Sequence, residues 1–318
     1  MKFDMKSASL NLLFTRRAMN LMMMIAALLF SVGVAQAQNP RAYVGVSGTD
    51  AGNCNNPANP CRLVAYALSV VDDRGEVVIV ESGYYRPFQV DKSVTVAAAP
   101  GVYAQIAIPE QSASAISVAV AATEYVVLRG LNVHAPGGVA GQIGIRFNTG
   151  GTLHVENCTI NGFTLSGISS GGAELFVKDT TIRNSGYSVH VVSGNGNVTR
   201  AVLENCRIEN GIHGIHASSN ARVTAKNTTA TGNSGAGFLA SLPINGGIPA
   251  EMNLENCVSS NNAIGINANV NTIVRVSNST VTGNTTGLFH NGSLLSRYNN
   301  TVEGNTANGN FSGFFTAK

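Results

Sequence analysis

From about residue 126 onward the chain repeats itself, and this limits its fold more than any other feature. The segments 126–133, 153–160, 175–182, 201–208, 223–230, 252–259, 274–281 and 296–303 share one pattern of alternating apolar and polar residues that leads into a turn. The turn position is Gly130, Asn157, Asp179, Asn205, Asn227, Asn256, Asn278 and Asn299, at intervals of 27, 22, 26, 22, 29, 22 and 21 residues. A second block follows each first, at 143–147, 166–170, 187–191, 213–217, 236–240, 264–268 and 286–290.

Units of about 22 residues that hold two or three short apolar runs leave no room for helices. Strands this short cannot bury a face alone, but one coil stacked on the next buries Val155, Ile160 and Ile168 against their equivalents. The repeat therefore predicts an all-β parallel solenoid of about ten coils. The row Asn157, Asp179, Asn205, Asn227, Asn256, Asn278 and Asn299 is expected to form a ladder, because Asn tolerates a left-handed backbone and its amide can pair one coil away. Just before it, Arg129, Glu156, Lys178, Glu204, Lys226 and Glu255 alternate in sign. Stacking in phase would bring each charge beside its opposites as exposed ion pairs.

The chain's ends differ from its middle. Arg16 and Arg17 precede the apolar run 21–34 and the small-x-small site Ala35-Gln36-Ala37, so residues 1–37 read as a signal peptide. At about 14 residues the run is short for a membrane span, and no later segment approaches one. A secreted or periplasmic protein is expected, with no membrane span after cleavage. Residues 38–75 form an N-terminal segment with one amphipathic helix over 62–73, placed to cap the solenoid that occupies 76–318. Cys54 and Cys61, close together in a turn-rich exported segment, are expected to form a disulfide. Phe311, Phe314 and Phe315 are expected to close the far end.

The formal charge of +3 resides in the first 37 residues, which leaves a mature chain with equal numbers of acidic and basic residues. A basic footprint for nucleic acid is therefore missing. Charged residues make up only 12% of the chain and hydrophobic ones 44%, which excludes a disordered polyelectrolyte.

Cys158, Cys206 and Cys257 fall in one column at every second coil, with Thr180 and Thr228 between them. That places them about 9.6 Å apart at the strand spacing, beyond reach of a disulfide or of one zinc ion, so they read as inward fillers. Alignment of the second blocks puts Arg146, Ser169, His190, His216, Leu239, Asn267 and Phe289 in one outward column. His190 and His216 would be next-coil neighbours about 5 Å apart, able to share a metal or to supply an acid and a base. Arg146, two coils away, could neutralise a uronate carboxylate. These three are the candidate catalytic residues. The competing reading is two exposed histidines that share a column by chance. The sequence requires no cofactor, leaves a divalent cation open, and does not decide the oligomeric state. Gly- and Asn-rich insertions at 135–142, 193–200 and 241–250 read either as walls of a groove or as variable surface loops.

The order Pro60-Cys61-Arg62, short helix, Gly75-Glu76-Val77-Val78-Ile79-Val80, Gly83-Tyr84-Tyr85, then Val90-Asp91-Lys92-Ser93-Val94-Thr95-Val96 resembles the opening of secreted right-handed parallel β-helix proteins of the pectin-lyase-like superfamily. Asn210-Gly211-Ile212-His213-Gly214-Ile215 is similar to the carbohydrate-binding and sugar-hydrolase repeats of that superfamily. The resemblance spans roughly residues 42–310 and implies the right hand of the coil and a polysaccharide or other extended glycan as partner. The superfamily's familiar catalytic motifs do not match. After Asp91 the only aspartate is Asp179, in the turn row, so the aspartate cluster of polygalacturonases is missing, as are the Gln-Asp-Thr segment of methylesterases and the Asp-Pro-His-Asp segment of epimerases. The expectation is a β-helix that binds an extended polysaccharide along an exposed strand face. The alternatives are a uronate lyase acting by β-elimination and a structural or adhesive surface protein.

Overall fold

The computed structural model describes residues 39–108, 113–136, 141–193, 196–241 and 248–316. The expected signal peptide, 1–37, and parts of the three insertions lie outside the described residues. Among those described, no helix is long and apolar enough to cross a membrane.

One coil shows the rule for all. Thr152–Glu156 is a strand whose alternate residues Leu153 and Val155 point inward and are fully buried. Asn157 turns the chain at φ +50°, and Cys158 points inward. The short strand Thr159–Asn161 buries Ile160, and Gly162 makes a second corner at φ +90°. The third strand, Ser166–Ser170, buries Ile168, and the chain then enters Glu174–Lys178 beside its starting strand. Repetition gives three parallel sheets of twelve, ten and nine strands, in which each strand pairs with its equivalent one coil away. Strand pairing puts Leu128, Val155, Val177, Leu203, Ala225, Leu254 and Val276 in one inward row and Ile145, Ile168, Val189, Ile215, Phe238 and Ile266 in another. Each aliphatic side chain so buried contributes roughly 1.5–3 kcal/mol of transfer free energy, and this stacking gives each short strand the buried face it lacks alone. The nine-stranded sheet sets about nine turns, close to the expected ten, since Arg41–Val44 and Gly313–Phe314 extend only the twelve-stranded sheet.

Two corner chemistries hold the coils in phase. In the first, Asn157, Asp179, Asn205, Asn227, Asn256 and Asn278 have φ between +47° and +54°. Asn205 donates to Asp179 Oδ1 at 3.1 Å, Asn256 to Asn227 Oδ1 at 2.5 Å and Asn278 to Asn256 Oδ1 at 3.5 Å. The row ends differently: Tyr298, not Asn299, has the positive φ, and Asn299 Oδ1 accepts from the Asn278 backbone N–H at 2.9 Å. The second corner, after the ten-stranded sheet, holds a stack not anticipated from the sequence. Asn233, Asn262, Asn284 and Asn305 pass hydrogen bonds coil to coil: Asn233 Oδ1 accepts from the Gly211 backbone N–H at 3.0 Å, and each later Oδ1 from the preceding Asn backbone N–H at 2.9 Å. The first three are buried, so their amides satisfy backbone groups that water cannot reach.

The alternating charges do share one row, in register from Arg129 through Glu255. Of these, only Arg129 and Glu156 approach to 2.8 Å among the described residues, so the expected chain of closed pairs is reduced to one. Exposed lysine heads gain too little from a fixed partner to give up hydration and rotamer freedom. Closed pairs occur elsewhere on the long sheet, where Arg41 meets Glu76 and Glu251 bridges Arg222 and Arg275.

Both ends depart in detail from expectation. Helix α1 spans Val64–Val70, shorter than 62–73, and buries Val64, Ala67 and Leu68 over the first coil. Its start is fixed because Asp50 Oδ1 accepts from the N–H groups of Arg62 and Leu63, both at 2.9 Å. It ends where Val71 turns extended and Lys92 donates to the Val71 carbonyl. Cys54 and Cys61 are joined as a disulfide with their Cα atoms 5.4 Å apart. At the far end only Phe311 packs on the core. Phe314 instead pairs as an edge strand with Ser296, and its ring, 56% exposed, stacks on Tyr298 at 4.0 Å.

Candidate functional site

Four strands of the nine-stranded sheet, Ile143–Thr149, Ser166–Ser170, His213–Ala217 and Ile264–Ala268, open on a Gly-Ile pair, and Tyr187–Val191 carries Ser188-Val189 in the same place. A Cβ on Gly144 would lie 2.5 Å from the Gly167 carbonyl oxygen, and one on Gly214 2.2 Å from that of Gly237. Only glycine permits this approach, and the Ile beside it fills the core. The residue after the Ile then faces outward. Pairing places Gln89, Ser117, Arg146, Ser169, His190, His216, Leu239, Asn267 and Phe289 on successive rungs of one row.

His190 and His216 stack with ring centroids 4.7 Å apart and planes within 6° of parallel. They are not alone. In the strand Tyr187–Val191 the first and fourth residues are half-buried and the second and third buried, so Tyr187 lies on the same side as His190. Its ring centroid is 5.0 Å from His190, 4.9 Å from His216 and 5.5 Å from His213, its partner on the next coil. Four rings thus form one patch, each stacked pair worth about 0.5–1.5 kcal/mol beyond its buried area. Tyr187 and His213 were missed from the sequence because only the fourth positions of the strands were aligned. The first positions, at the same intervals, give the pairing.

Burial dominates the electrostatics. His216 is only 8% exposed, and loss of water pushes its pKa down to about 3, with smaller contributions from His190 and His213. His190 is lowered by burial to about 4, and His213 is lowered by the same cause. All three are neutral at pH 7. Ser218 Oγ lies 3.1 Å from His190 Nε2 and 3.5 Å from the Val191 carbonyl oxygen. His216 Nε2 lies 2.7 Å from Ser241 Oγ, and its Nδ1 is buried without a partner. The patch is therefore a covered platform, and His216 is not the exposed side chain the chance-column reading assumed.

Parallel stacked rings aim their in-plane lone pairs side by side, so the two imidazoles do not converge on one ion. Among the described residues no three His, Cys, Asp or Glu side chains are grouped to hold a metal. Arg146 lies two rungs from His190, about 9.6 Å at the strand spacing, and has no carboxylate within ion-pair distance among the described residues. Beside this face, along the corner that feeds its strands, runs an open groove of about 480 Å³ lined by Thr164, Asn184, Ser185, Asn210, Ile212 and Ser234 on four coils.

The cysteine column offers no nucleophile. Burial pushes the Cys158 and Cys206 thiols up to about 12 and that of Cys257 to about 11. Each donates to backbone carbonyls, Cys158 to Glu156 at 3.2 Å and Cys257 to Ala225 at 3.3 Å. Between them the Thr180 and Thr228 hydroxyls accept from the Cys158 and Cys206 backbone N–H groups.

The family model for the right-handed beta helix region matches residues 117–239 and 143–307, more than half of the chain. The chain belongs to the right-handed β-helix family. No curated protein matches its sequence. Among solved structures, XylC in complex with xylose aligns at 11% identity and a TM-score of 0.59, over 82% of this chain and 69% of that one. The alginate lyase of Paenibacillus sp. str. FPU-7 aligns at 12% identity and a TM-score of 0.54, over 86% of this chain and 97% of that one. These likenesses establish the β-helix fold and its right hand, in agreement with the superfamily that the sequence resembles.

Proposed function

We propose that this chain is exported, to the periplasm or the cell exterior, and binds an extended polysaccharide along the face of its nine-stranded sheet. The observation that carries this reading is the open groove along four coils, those of Ser169, His190, His216 and Leu239, with Arg146 on the coil before them. Rungs about 4.8 Å apart present hydroxyl, amide and imidazole groups at regular intervals, each able to hydrogen-bond an extended glycan. Arg146, free of any acidic partner among the described residues, favours a polymer that carries carboxylates. The solved structures named above act on or hold sugars by their titles, which agrees with this class of ligand. Affinity electrophoresis through gels containing pectate, alginate or a glycosaminoglycan tests it. Retardation by one polymer, relieved in Arg146→Ala, is expected. Unchanged mobility in all three overturns the reading.

A second reading, a uronate lyase, is favoured by the depressed pKa of His190, which keeps its imidazole neutral down to about pH 4. Arg146 would neutralise the carboxylate and His190 would take the C5 proton. The electron pair would form the C4–C5 double bond as the C4–O bond breaks, and the leaving oxygen would be protonated by water. Ultraviolet absorbance of unsaturated products, abolished in His190→Ala, would establish this chemistry. Binding without such products retires it.

A further inference from the structure

A separate concave pocket of about 350 Å³ lies on the outer face of the ten-stranded sheet, away from the row just described. Four successive rungs build it: Tyr103 and Gln105, then Asn132 and His134, then Thr159 and Asn161, then Arg183. Its size falls in the lower part of the range for small-molecule sites, ~300–1,000 Å³.

The polar groups of this pocket are uncommitted to an unusual degree. Gln105 is 9% exposed, yet its amide has no protein partner, and the side chains of Tyr103, Asn132, Thr159 and Arg183 make no hydrogen bond among the described residues. A recessed amide without a partner costs free energy unless a ligand or solvent reaches it through the pocket. The one internal contact sharpens the remainder. Asn184 donates to Asn161 Oδ1 at 2.7 Å, which turns the Asn161 amide nitrogen to His134 Nδ1 at 3.0 Å. His134 Nδ1 is therefore an acceptor, and its Nε2–H is a donor without a protein partner. No acid lines the pocket. Glu209, in register with Arg183, is engaged by Arg207, and among the described residues the Arg183 guanidinium has no carboxylate within ion-pair distance. Tyr103, 54% exposed, stands at the opposite end as an aromatic face.

We propose that this pocket, built by Tyr103, Gln105, Asn132, His134, Thr159 and Arg183, binds a carboxylate-bearing oligosaccharide two or three units long. Arg183 takes the carboxylate, the amides and the His134 N–H take hydroxyls, and Tyr103 packs on a sugar face. The inference does not depend on the nine-stranded face, and one experiment separates the two. The purified, isotope-labelled chain is titrated with trigalacturonate, trimannuronate and the neutral maltotriose, with side-chain amide shifts followed by NMR. One uronate should move the Gln105 and Asn132 amides, maltotriose should bind about tenfold more weakly or worse, and Arg183→Gln and Tyr103→Ala, both exposed sites, should each weaken uronate binding about tenfold. Three results would overturn the assignment: no uronate binding at millimolar concentration, wild-type affinity in both variants, or shifts confined to the Arg146–His216 row.

Discussion

At the scale of single residues, burying neutral imidazoles makes stability depend on pH. In the unfolded chain a histidine takes up its proton near pH 6.5, whereas His190 resists to about pH 4 and His216 to about pH 3. Their folded pKa values lie below the unfolded ones, so their contribution is complete above about pH 6.5. It is lost as pH falls below that value, at roughly 1.4 kcal/mol per pH unit for each histidine, until the folded groups titrate too. Denaturant unfolding at pH 7, 5.5 and 4.5 should show wild type losing stability more steeply than His216→Phe, which keeps a ring in the stack but does not titrate. Parallel losses would contradict the burial described. The cysteines give a second expectation. With thiols pushed up to about 11 or 12 and enclosed in the core, Cys158, Cys206 and Cys257 should resist iodoacetamide in the native protein and react only on unfolding. Labelling of the native fold, read by mass spectrometry, would show the column to be open.

At the scale of elements, the Gly-Ile strand is the point of greatest constraint. Gly214→Ala drives a methyl against the Gly237 carbonyl and should cost about 1–3 kcal/mol, read as a lower denaturation midpoint with unchanged slope. A cost below about 0.5 kcal/mol would mean the coils are spaced more loosely than described. The same element shows what the sequence carried. Spacing alone placed His190 on His216 and Arg146 two rungs away, because parallel coils convert sequence intervals into neighbours. Tyr187 and His213, which complete the patch, sit at the same interval in the first positions of their strands, and were missed because only the fourth positions were aligned. The buried Asn233–Asn262–Asn284 stack went unrecognised although its intervals match the outer ladder, because a buried amide and an exposed turn amide are the same letter. The lysine–glutamate row was legible in register but not in contact, since register is fixed by the backbone whereas exposed ion pairs are decided by solvation.

At the scale of the whole molecule, each coil rests on the next, the first on helix α1 and the Cys54–Cys61 disulfide, and the last on Phe311. The three faces differ in what they expose: paired charges on the twelve-stranded sheet, a pocket of free donors on the ten-stranded sheet, and a row of hydroxyl, guanidinium and imidazole groups on the nine-stranded sheet. The third face is the one proposed to hold an extended acidic glycan. A crystal of the chain soaked with the acidic oligosaccharide that retards it in gels tests this most directly. Sugar density should lie across Arg146, Ser169 and His190, with a carboxylate at the Arg146 guanidinium. Density confined to other surfaces, leaving that row bare at saturating ligand, would contradict the claim.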